Sequence, residues 1–197
     1  MANIGITGRM RVGKDTAGQW LVDNRGYRRV SFADPLRDAA LKLDPFVTQY
    51  GSGPMLRLSN VVRDAGWERA KDGYPEVRRI LQELGASIRA IDPEFWLRTA
   101  LAKVRDANEA GVPAVITDVR YPNEAASLKA AGFHLLYIER PDVPQLQHES
   151  EGALTAADAD YAITNDGTRE LFLAKLQVAV AHIYTDESRR QYARSHS

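Results

Sequence analysis

The stretch over residues 8–16 constrains the fold of this chain more than any other. It matches the pattern G-x-x-x-x-G-K, with Asp15 where a serine or threonine usually follows the lysine. Apolar residues 3–7 predict a short strand before it, and residues 16–21 predict the start of a helix after it. A strand, a glycine loop and a helix start direct backbone N–H groups and a helix dipole at a phosphate. The sequence therefore predicts a phosphate-binding loop in which Lys14 reaches the β- and γ-phosphates of a nucleotide.

Size, charge balance and the lack of cysteine narrow the class of protein. The chain has 197 residues, 44% of them hydrophobic, with 26 basic and 26 acidic residues and no cysteine. We expect one domain over residues 1–185, followed by a frayed polar tail over residues 186–197. Balanced charge predicts no nucleic-acid or membrane partner, because no overall field would attract one. The lack of cysteine fits a cytoplasmic protein, and an N-terminus that enters a strand at once predicts no signal peptide.

Apolar runs and helical patterns alternate along the chain. Predicted strands occupy residues 3–7, 27–33, 113–117, 134–139 and 161–164. Apolar residues spaced three and four apart predict helices near residues 36–43, 77–91, 97–104, 124–131 and 172–183. This alternation predicts an α/β fold with a five-stranded parallel sheet flanked by helices, in which ligands bind at the carboxyl ends of the strands. Residues 44–75 read as irregular, which favours an inserted substrate-binding segment over a plain loop.

Polar side chains follow the predicted strands at this carboxyl edge. They are Asp34 after the second strand, Asp118 and Arg120 after the third, Arg140 after the fourth, and Asn165 and Asp166 after the fifth, where Gly167 completes a turn. A carboxylate in the position of Asp118 holds Mg²⁺ or its waters in phosphate-loop enzymes, whereas the alternative role is a helix N-cap. For Asp15 we expect a place on the metal side, with the hydroxyl of Thr16 on the phosphate.

The long predicted helix over residues 77–91 carries a second signal. Arg78, Gln82, Gly85 and Arg89 are spaced four, three and four apart, so they share one stripe, which we expect to lie opposite the apolar face. Two guanidinium groups, an amide and a glycine that permits close approach suit an anionic, hydrogen-bonding ligand. The alternative is a solvated charged face, which is common on amphipathic helices.

Several segments together carry a resemblance to a known family. They are residues 6–16, 31–36, 81–85 with Arg89, 116–124, 148–151 and 165–168. In this order they resemble the phage-type deoxynucleoside monophosphate kinases, within the nucleoside-monophosphate-kinase-like P-loop fold. The segments G-K-D-T and D-V-R-Y-P-N-E are the most specific.

The resemblance implies a three-layer P-loop kinase that transfers a phosphoryl group from ATP, with Mg²⁺, to a deoxynucleoside monophosphate. It implies that residues 44–92 bind the acceptor, that residues 141–157 form a lid, and that the turn at residues 165–167 lies near adenine. The expected partners are then small-molecule nucleotides, and the formation of a homodimer stays an open question. If a phage encodes the chain, the expected compartment is the cytoplasm of the host.

Residues and resemblance together define the expected site. The catalytic candidates are Lys14, Asp118, Arg120 and Arg140, and the metal candidates are Asp15 and Asp118. The ATP-binding candidates are Gly8, Arg11, Val12, Gly13, Lys14, Asp15, Thr16, Asn165 and Gly167. The acceptor-binding candidates are Asp34, Arg78, Gln82, Arg89 and Glu151.

Two other functions remain open from the sequence. A dephospho-coenzyme-A-kinase-like enzyme phosphorylates a hydroxyl group and benefits from a general base, a role open to Asp34. A monophosphate acceptor already carries its anionic nucleophile, so its site needs cations and positioning instead. The second alternative is a catalytically idle nucleotide-binding module.

Overall fold

The computed structural model describes residues 1–49, 53–143 and 153–196. The described chain forms two compact units. We call residues Met1–Ser31 with Leu101–Ser197 the sheet unit, and residues Phe32–Ala100 the helical unit. The helical unit thus interrupts the sequence of the sheet unit, and the single domain over residues 1–185 stays a prediction.

The secondary structure follows the predicted alternation. The strands are β1 (Ile4–Thr7), β2 (Arg28–Val30), β3 (Phe46–Val47), β4 (Leu56–Arg57), β5 (Ala114–Val119), β6 (His134–Glu139) and β7 (Tyr161–Thr164). The helices are α1 (Lys14–Arg25), α2 (Ala33–Leu43), α3 (Leu58–Gly73), α4 (Pro75–Ile91), α5 (Phe95–Glu109), α6 (Pro122–Ala130) and α7 (Arg169–Ser195). None of the helices in these ranges has both the length and the apolar character needed to cross a bilayer.

The sheet unit confirms the predicted five-stranded parallel sheet. Its strand order is β2-β5-β1-β6-β7, and every neighbouring pair is parallel. Alternate side chains of β1 face opposite sides of the sheet. Ile4 and Ile6 join a buried cluster with residues of α1 and α7, whereas Gly5 lies against Leu128 of α6. Helices therefore cover both faces, which is the predicted three-layer arrangement.

The helical unit corrects the interpretation of residues 44–75 as irregular. It contains the short antiparallel pair β3–β4 and the helix α3, and α3 packs with α2 and α4 around a buried cluster that includes Leu58, Val61 and Val77. Periodicity missed α3 because Gly66, with φ +74° and ψ +164°, breaks the helical backbone in the middle and shifts the apolar face.

The end of the second predicted strand also needs correction. The second strand ends at Val30, and the predicted residues up to Ala33 include the start of α2. Asp34 therefore lies in the first turn of a helix rather than at a strand end, and it belongs to the helical unit. Proline is tolerated in a first turn, and an acidic residue there complements the helix dipole, which explains why Asp34-Pro35 starts α2.

The expected frayed tail is wrong for the described residues, because α7 continues to Ser195. Glu187, near the start of this segment, is 5% exposed and contacts the N-terminal ammonium of Met1 at 3.1 Å and Nε2 of the buried His134 at 3.3 Å. Burial alone would raise the pKa of Glu187, but hydrogen bonds from Gln191 and from the ammonium lower it overall. Burial also lowers the pKa of His134, and Arg190 adds to this effect.

We expect Glu187→Gln to reduce the free energy of unfolding by about 2 kcal/mol at pH 7, because charged hydrogen bonds are lost in a buried place. A carboxylate whose folded pKa is lowered stabilises the fold above its unfolded pKa and loses this effect as the pH falls. The difference between wild type and variant should therefore shrink below pH 4.5, the ordinary value for this group.

Urea unfolding of both proteins at pH 7 and at pH 4 measures this difference. Glu109→Gln, an exposed change at the end of α5, is the matched control. Equal stability of wild type and Glu187→Gln at pH 7 would contradict an anchored α7.

Candidate active site

Two glycines shape the predicted phosphate loop, which connects β1 to α1. Gly8 has φ +135°, and a Cβ atom there would lie 2.1 Å from the carbonyl oxygen of Ile138 on β6. Gly13 has φ +110° and is the N-cap of α1. Both positions therefore require glycine, since other residues rarely adopt this backbone and the first position also lacks space. Val12 is fully buried within the loop, whereas Arg11 is exposed with φ +63°.

Lys14 folds back over the start of the loop. Its Nζ donates to the carbonyl oxygens of Gly8 and Arg9, each at 2.6 Å. The ammonium group is thus held at the loop, at the N-terminus of α1, where it adds its charge to the positive end of the helix dipole. A point charge in this place suits the phosphate group of a nucleotide.

The turn after β7 lies against the phosphate loop. Nδ2 of Asn165 donates to the carbonyl oxygen of Val12 at 2.9 Å. The next residue, Asp166, accepts from Nζ of Lys175 at 2.5 Å, and this hydrogen bond lowers the pKa of Asp166. The structure thus brings Asn165 to the loop from a distant part of the sequence, while Gly167 follows it in the same turn.

Asp118 belongs to β5 and does not cap a helix. The strand extends to Val119, and Val119 pairs with Thr7 of β1 at the start of the phosphate loop. Tyr121 is the N-cap of α6, and Glu124 closes that cap by accepting the backbone N–H groups of Arg120 and Tyr121. The alternative role of Asp118 as an N-cap is therefore excluded.

The carboxylate of Asp118 has a hydroxyl neighbour that the sequence analysis missed. Oγ of Ser31, just after β2, donates to Oδ2 of Asp118 at 2.6 Å. The strand order would have indicated this contact, because β2 is the sheet neighbour of β5 and polar residues lie at the ends of both strands.

The oxygen atoms of Asp118 and Ser31 are possible ligands for a magnesium ion at the carboxyl edge of the sheet. No group of three or more His, Asp and Glu side chains that could hold a metal occurs in the described ranges. Mg²⁺ in nucleotide sites needs no such group, because it binds through one or two protein oxygens, water and the phosphates. A half-buried carboxylate with an adjacent hydroxyl beside a phosphate loop fits that requirement.

Asp15 and the two catalytic arginine candidates have different surroundings. The carboxylate of Asp15 forms an ion pair with Arg29 of β2, a residue that the sequence analysis also missed. Arg120 and Arg140 follow β5 and β6, and both are exposed. The carbonyl oxygen of Arg140 accepts from the guanidinium group of Arg9 at 3.2 Å, so its main chain contacts the loop.

The helical unit holds the described acceptor candidates. Arg78 donates to Oδ1 of Asp72 at 2.5 Å and to the carbonyl oxygen of Lys71 at 2.8 Å. Gln82 and Arg89 are exposed on the same helix, α4, and Asp34 of α2 lies 3.7 Å from Arg37. The charge of Arg78 is thus matched by a carboxylate at hydrogen-bonding distance.

Gly85 corrects the predicted stripe. It is buried, the place of a Cβ atom lies 3.3 Å from Leu36, and its carbonyl oxygen accepts from Nε1 of Trp96 at 3.3 Å. The close approach that glycine permits is thus to α2 and α5 rather than to a ligand. The stripe lies beside the apolar face, not opposite it, and its exposed members are Arg78, Gln82 and Arg89.

The remaining acceptor candidate, Glu151, lies outside the described residues. So does most of the predicted lid, residues 144–152, including the motif H-E-S-E. At the end of the lid segment, residues 156 and 157 belong to one turn of 3₁₀ helix, Ala156–Asp158.

A phosphate loop with its lysine, a carboxylate on the neighbouring strand and a parallel sheet define a P-loop kinase. The solved dephospho-CoA kinase from Campylobacter jejuni has this fold, with a TM-score of 0.54 and 11% identity over 94% of this chain and 98% of that one. The family described as deoxynucleotide monophosphate kinase matches residues 56–176, more than half of the chain. The chain belongs to this family.

Viral proteins are among its relatives. A protein of Acanthamoeba polyphaga mimivirus with the same family description is 29% identical over 194 residues, which cover 89% of this chain and 94% of the viral protein. The deoxynucleotide monophosphate kinase of Enterobacteria phage T4 is 28% identical over 105 residues. That alignment covers 51% of this chain and 44% of the phage protein, less than half its length. The predicted fold, family and kinase class are confirmed.

Proposed function

We propose that the protein transfers the γ-phosphoryl group of ATP to the phosphate of a deoxynucleoside monophosphate. An oxygen of the acceptor phosphate attacks the γ-phosphorus, the bond from this phosphorus to the bridging oxygen breaks, and ADP leaves with that electron pair. The observation that carries the proposal is the phosphate loop with the Lys14 ammonium 2.6 Å from two of its carbonyls. Family membership supplies the acceptor class.

The sheet unit supplies the ATP side of the reaction. Backbone N–H groups of the loop and the N-terminus of α1 cradle the phosphates, while Lys14 exchanges its carbonyl partners for phosphate oxygens. The turn with Asn165, whose Nδ2 lies 2.9 Å from the carbonyl oxygen of Val12, is our candidate for the adenine end of the site. Because phosphoryl transfer involves developing charge more than proton transfer, positioned cations are the main contribution of the protein.

Asp118, with Ser31, is the group that would hold magnesium. The ion supplies charge neutralisation of the phosphates and orients them for transfer. The carboxylate would attract the ion. Because Ser31 donates to Oδ2 at 2.6 Å, the other oxygen of the carboxylate, Oδ1, is the one that faces away from that hydroxyl. Asp15 is the less suitable candidate for a direct contact, since its charge is already matched by Arg29.

The exposed face of α4 is our candidate for the acceptor phosphate. Arg89 offers a fork of N–H donors and Gln82 an amide, and both side chains are exposed. For the rival reaction on a hydroxyl group, Asp34 would be the general base. The family description favours the monophosphate acceptor, and the relatives from viruses and a phage favour an enzyme that acts in the cytoplasm of an infected cell.

Steady-state consumption of ATP, measured with and without deoxynucleoside monophosphates, tests the proposal against an idle nucleotide-binding module. We expect turnover that depends on the acceptor. A purified protein that binds ATP but whose turnover no monophosphate stimulates would contradict the proposal.

We expect Arg89→Ala to raise the KM for the acceptor by about 10- to 100-fold, the value of a lost charged hydrogen bond, with little change in the KM for ATP. Arg89→Lys should recover part of the loss, because an ammonium cannot reproduce the guanidinium fork. Arg79→Ala is a matched control on the same helix, since Arg79 is engaged by Glu76 and Glu83. Equal effects of the two alanine variants would remove Arg89 from the acceptor site.

A further inference from the structure

An unusual ion pair lies directly beside the phosphate loop. Asp15 follows the loop lysine in sequence, and its carboxylate is paired with the guanidinium group of Arg29. The same NH2 atom of Arg29 donates to Oγ1 of Thr117 at 3.1 Å. Thr117 is 3% exposed and precedes Asp118 on β5, so the arginine is tied to the strand that carries the candidate metal ligand.

The packing of α1 explains why Asp15 meets Arg29. Asp15 and Gly18 are three residues apart and share a face of the helix. A Cβ atom at Gly18 would lie 2.3 Å from Cγ2 of Thr117, so this face of α1 is closely packed on β5. The carboxylate is thereby held near Oγ1 of Thr117, at 3.5 Å, and within reach of the arginine on the edge strand β2.

The pair has a consequence for a polyphosphate ligand. The side chain of Asp15 is 80% exposed, so an unmatched carboxylate would extend its field over the neighbouring loop. Such a charge would repel bound phosphates, and water would screen the repulsion only in part at a separation of one or two residues. Arg29, at 42% side-chain exposure, is the cation that cancels it.

We propose that Arg29 is a positioning residue that balances the charge of Asp15 beside the phosphate loop. Arg29 thereby maintains the affinity of the loop for ATP. This inference rests on the proposed function, because it assumes that the loop binds a nucleoside triphosphate. Arg29 acts through Asp15 and needs no contact with the nucleotide.

A double-mutant cycle on ATP binding tests the inference. The dissociation constant of ATP is measured by calorimetry for wild type, Arg29→Gln, Asp15→Asn and the double variant. We expect Arg29→Gln to raise the dissociation constant by about tenfold when Asp15 is present and by less than about twofold when Asn replaces it. Equal effects of Arg29→Gln in both backgrounds would overturn the inference.

Two further comparisons separate charge balance from a purely structural role. Arg29→Lys should restore most of the affinity, because it keeps the cation, and raising the salt concentration should reduce the coupling. Arg28→Gln removes an equal charge from the same strand and should leave ATP binding within about twofold of wild type, since the balance depends on the contact. Coupling that is unchanged by salt, or a loss as large in Arg28→Gln, would contradict the inference.

The cycle also distinguishes failure of the inference from failure of the proposed function. Wild type that binds ATP without coupling between the two residues overturns the role of Arg29 alone. Wild type that binds no ATP overturns both, since the loop would then have no triphosphate ligand.

Discussion

Lys14→Ala is expected to lower kcat by about 10³-fold or more, because the ammonium stabilises charge that develops on the phosphoryl group in the transition state. The lysine lies at the N-terminus of α1 with Nζ on the carbonyls of Gly8 and Arg9. Loss of these two hydrogen bonds should cost the fold little, because both are only partly buried and water can replace the ammonium group. The variant should therefore unfold at a temperature close to that of wild type.

Kinetics at saturating ATP, together with thermal unfolding, measures this effect. Lys42→Ala removes an exposed lysine near the end of α2 and is the matched control. Turnover of the folded Lys14 variant within tenfold of wild type would remove the phosphate loop from the mechanism.

Asp118→Asn should have the second largest effect, a decrease in kcat of about 10²-fold at limiting Mg²⁺, partly recovered when the ion is raised. An amide keeps the shape of the side chain and can still bond to Ser31, but it loses the charge that attracts the ion. The structure makes the variant informative, because Tyr121 and Glu124, not Asp118, cap α6. A change in activity cannot then be traced to a lost helix cap.

A Mg²⁺ titration of kcat for both proteins provides the measurement. Asp23→Asn, an exposed carboxylate of α1, controls for the general loss of one negative charge. If the titration curve of Asp118→Asn coincided with that of wild type, the carboxylate would have no part in holding the ion.

The strands of the sheet unit were predictable because their signals are local. The bounds of β6 and β7 agree with those predicted, since each is a continuous apolar run that ends at a charged or turn residue. By contrast, α3 escaped prediction because its backbone break at Gly66 divides the helix into two short pieces. The final turns of α7 were not predicted, because their polar composition gives no sign that one carboxylate, Glu187, is buried.

The site shows the same division between local and distant contacts. The loop was predictable from spacing alone, because its glycines, lysine and helix start are consecutive in sequence. The contacts of Ser31 with Asp118 and of Arg29 with Asp15 join residues that are 87 and 14 positions apart. Such pairs depend on strand order, which places β2 beside β5 and which no spacing in one sequence specifies. Gly85 was misassigned for a related reason, since its neighbours Leu36 and Trp96 come from other helices.

Identification of the phosphorylated product in a panel of acceptors tests the proposed reaction. Purified protein with ATP and Mg²⁺ is incubated with each deoxynucleoside monophosphate, each ribonucleoside monophosphate and dephospho-coenzyme A, and the products are separated by ion-exchange chromatography. The proposed function predicts a deoxynucleoside diphosphate and an equal amount of ADP with at least one deoxynucleoside monophosphate, and no product from dephospho-coenzyme A. Phosphorylation of dephospho-coenzyme A, with every deoxynucleoside monophosphate inert, would contradict it.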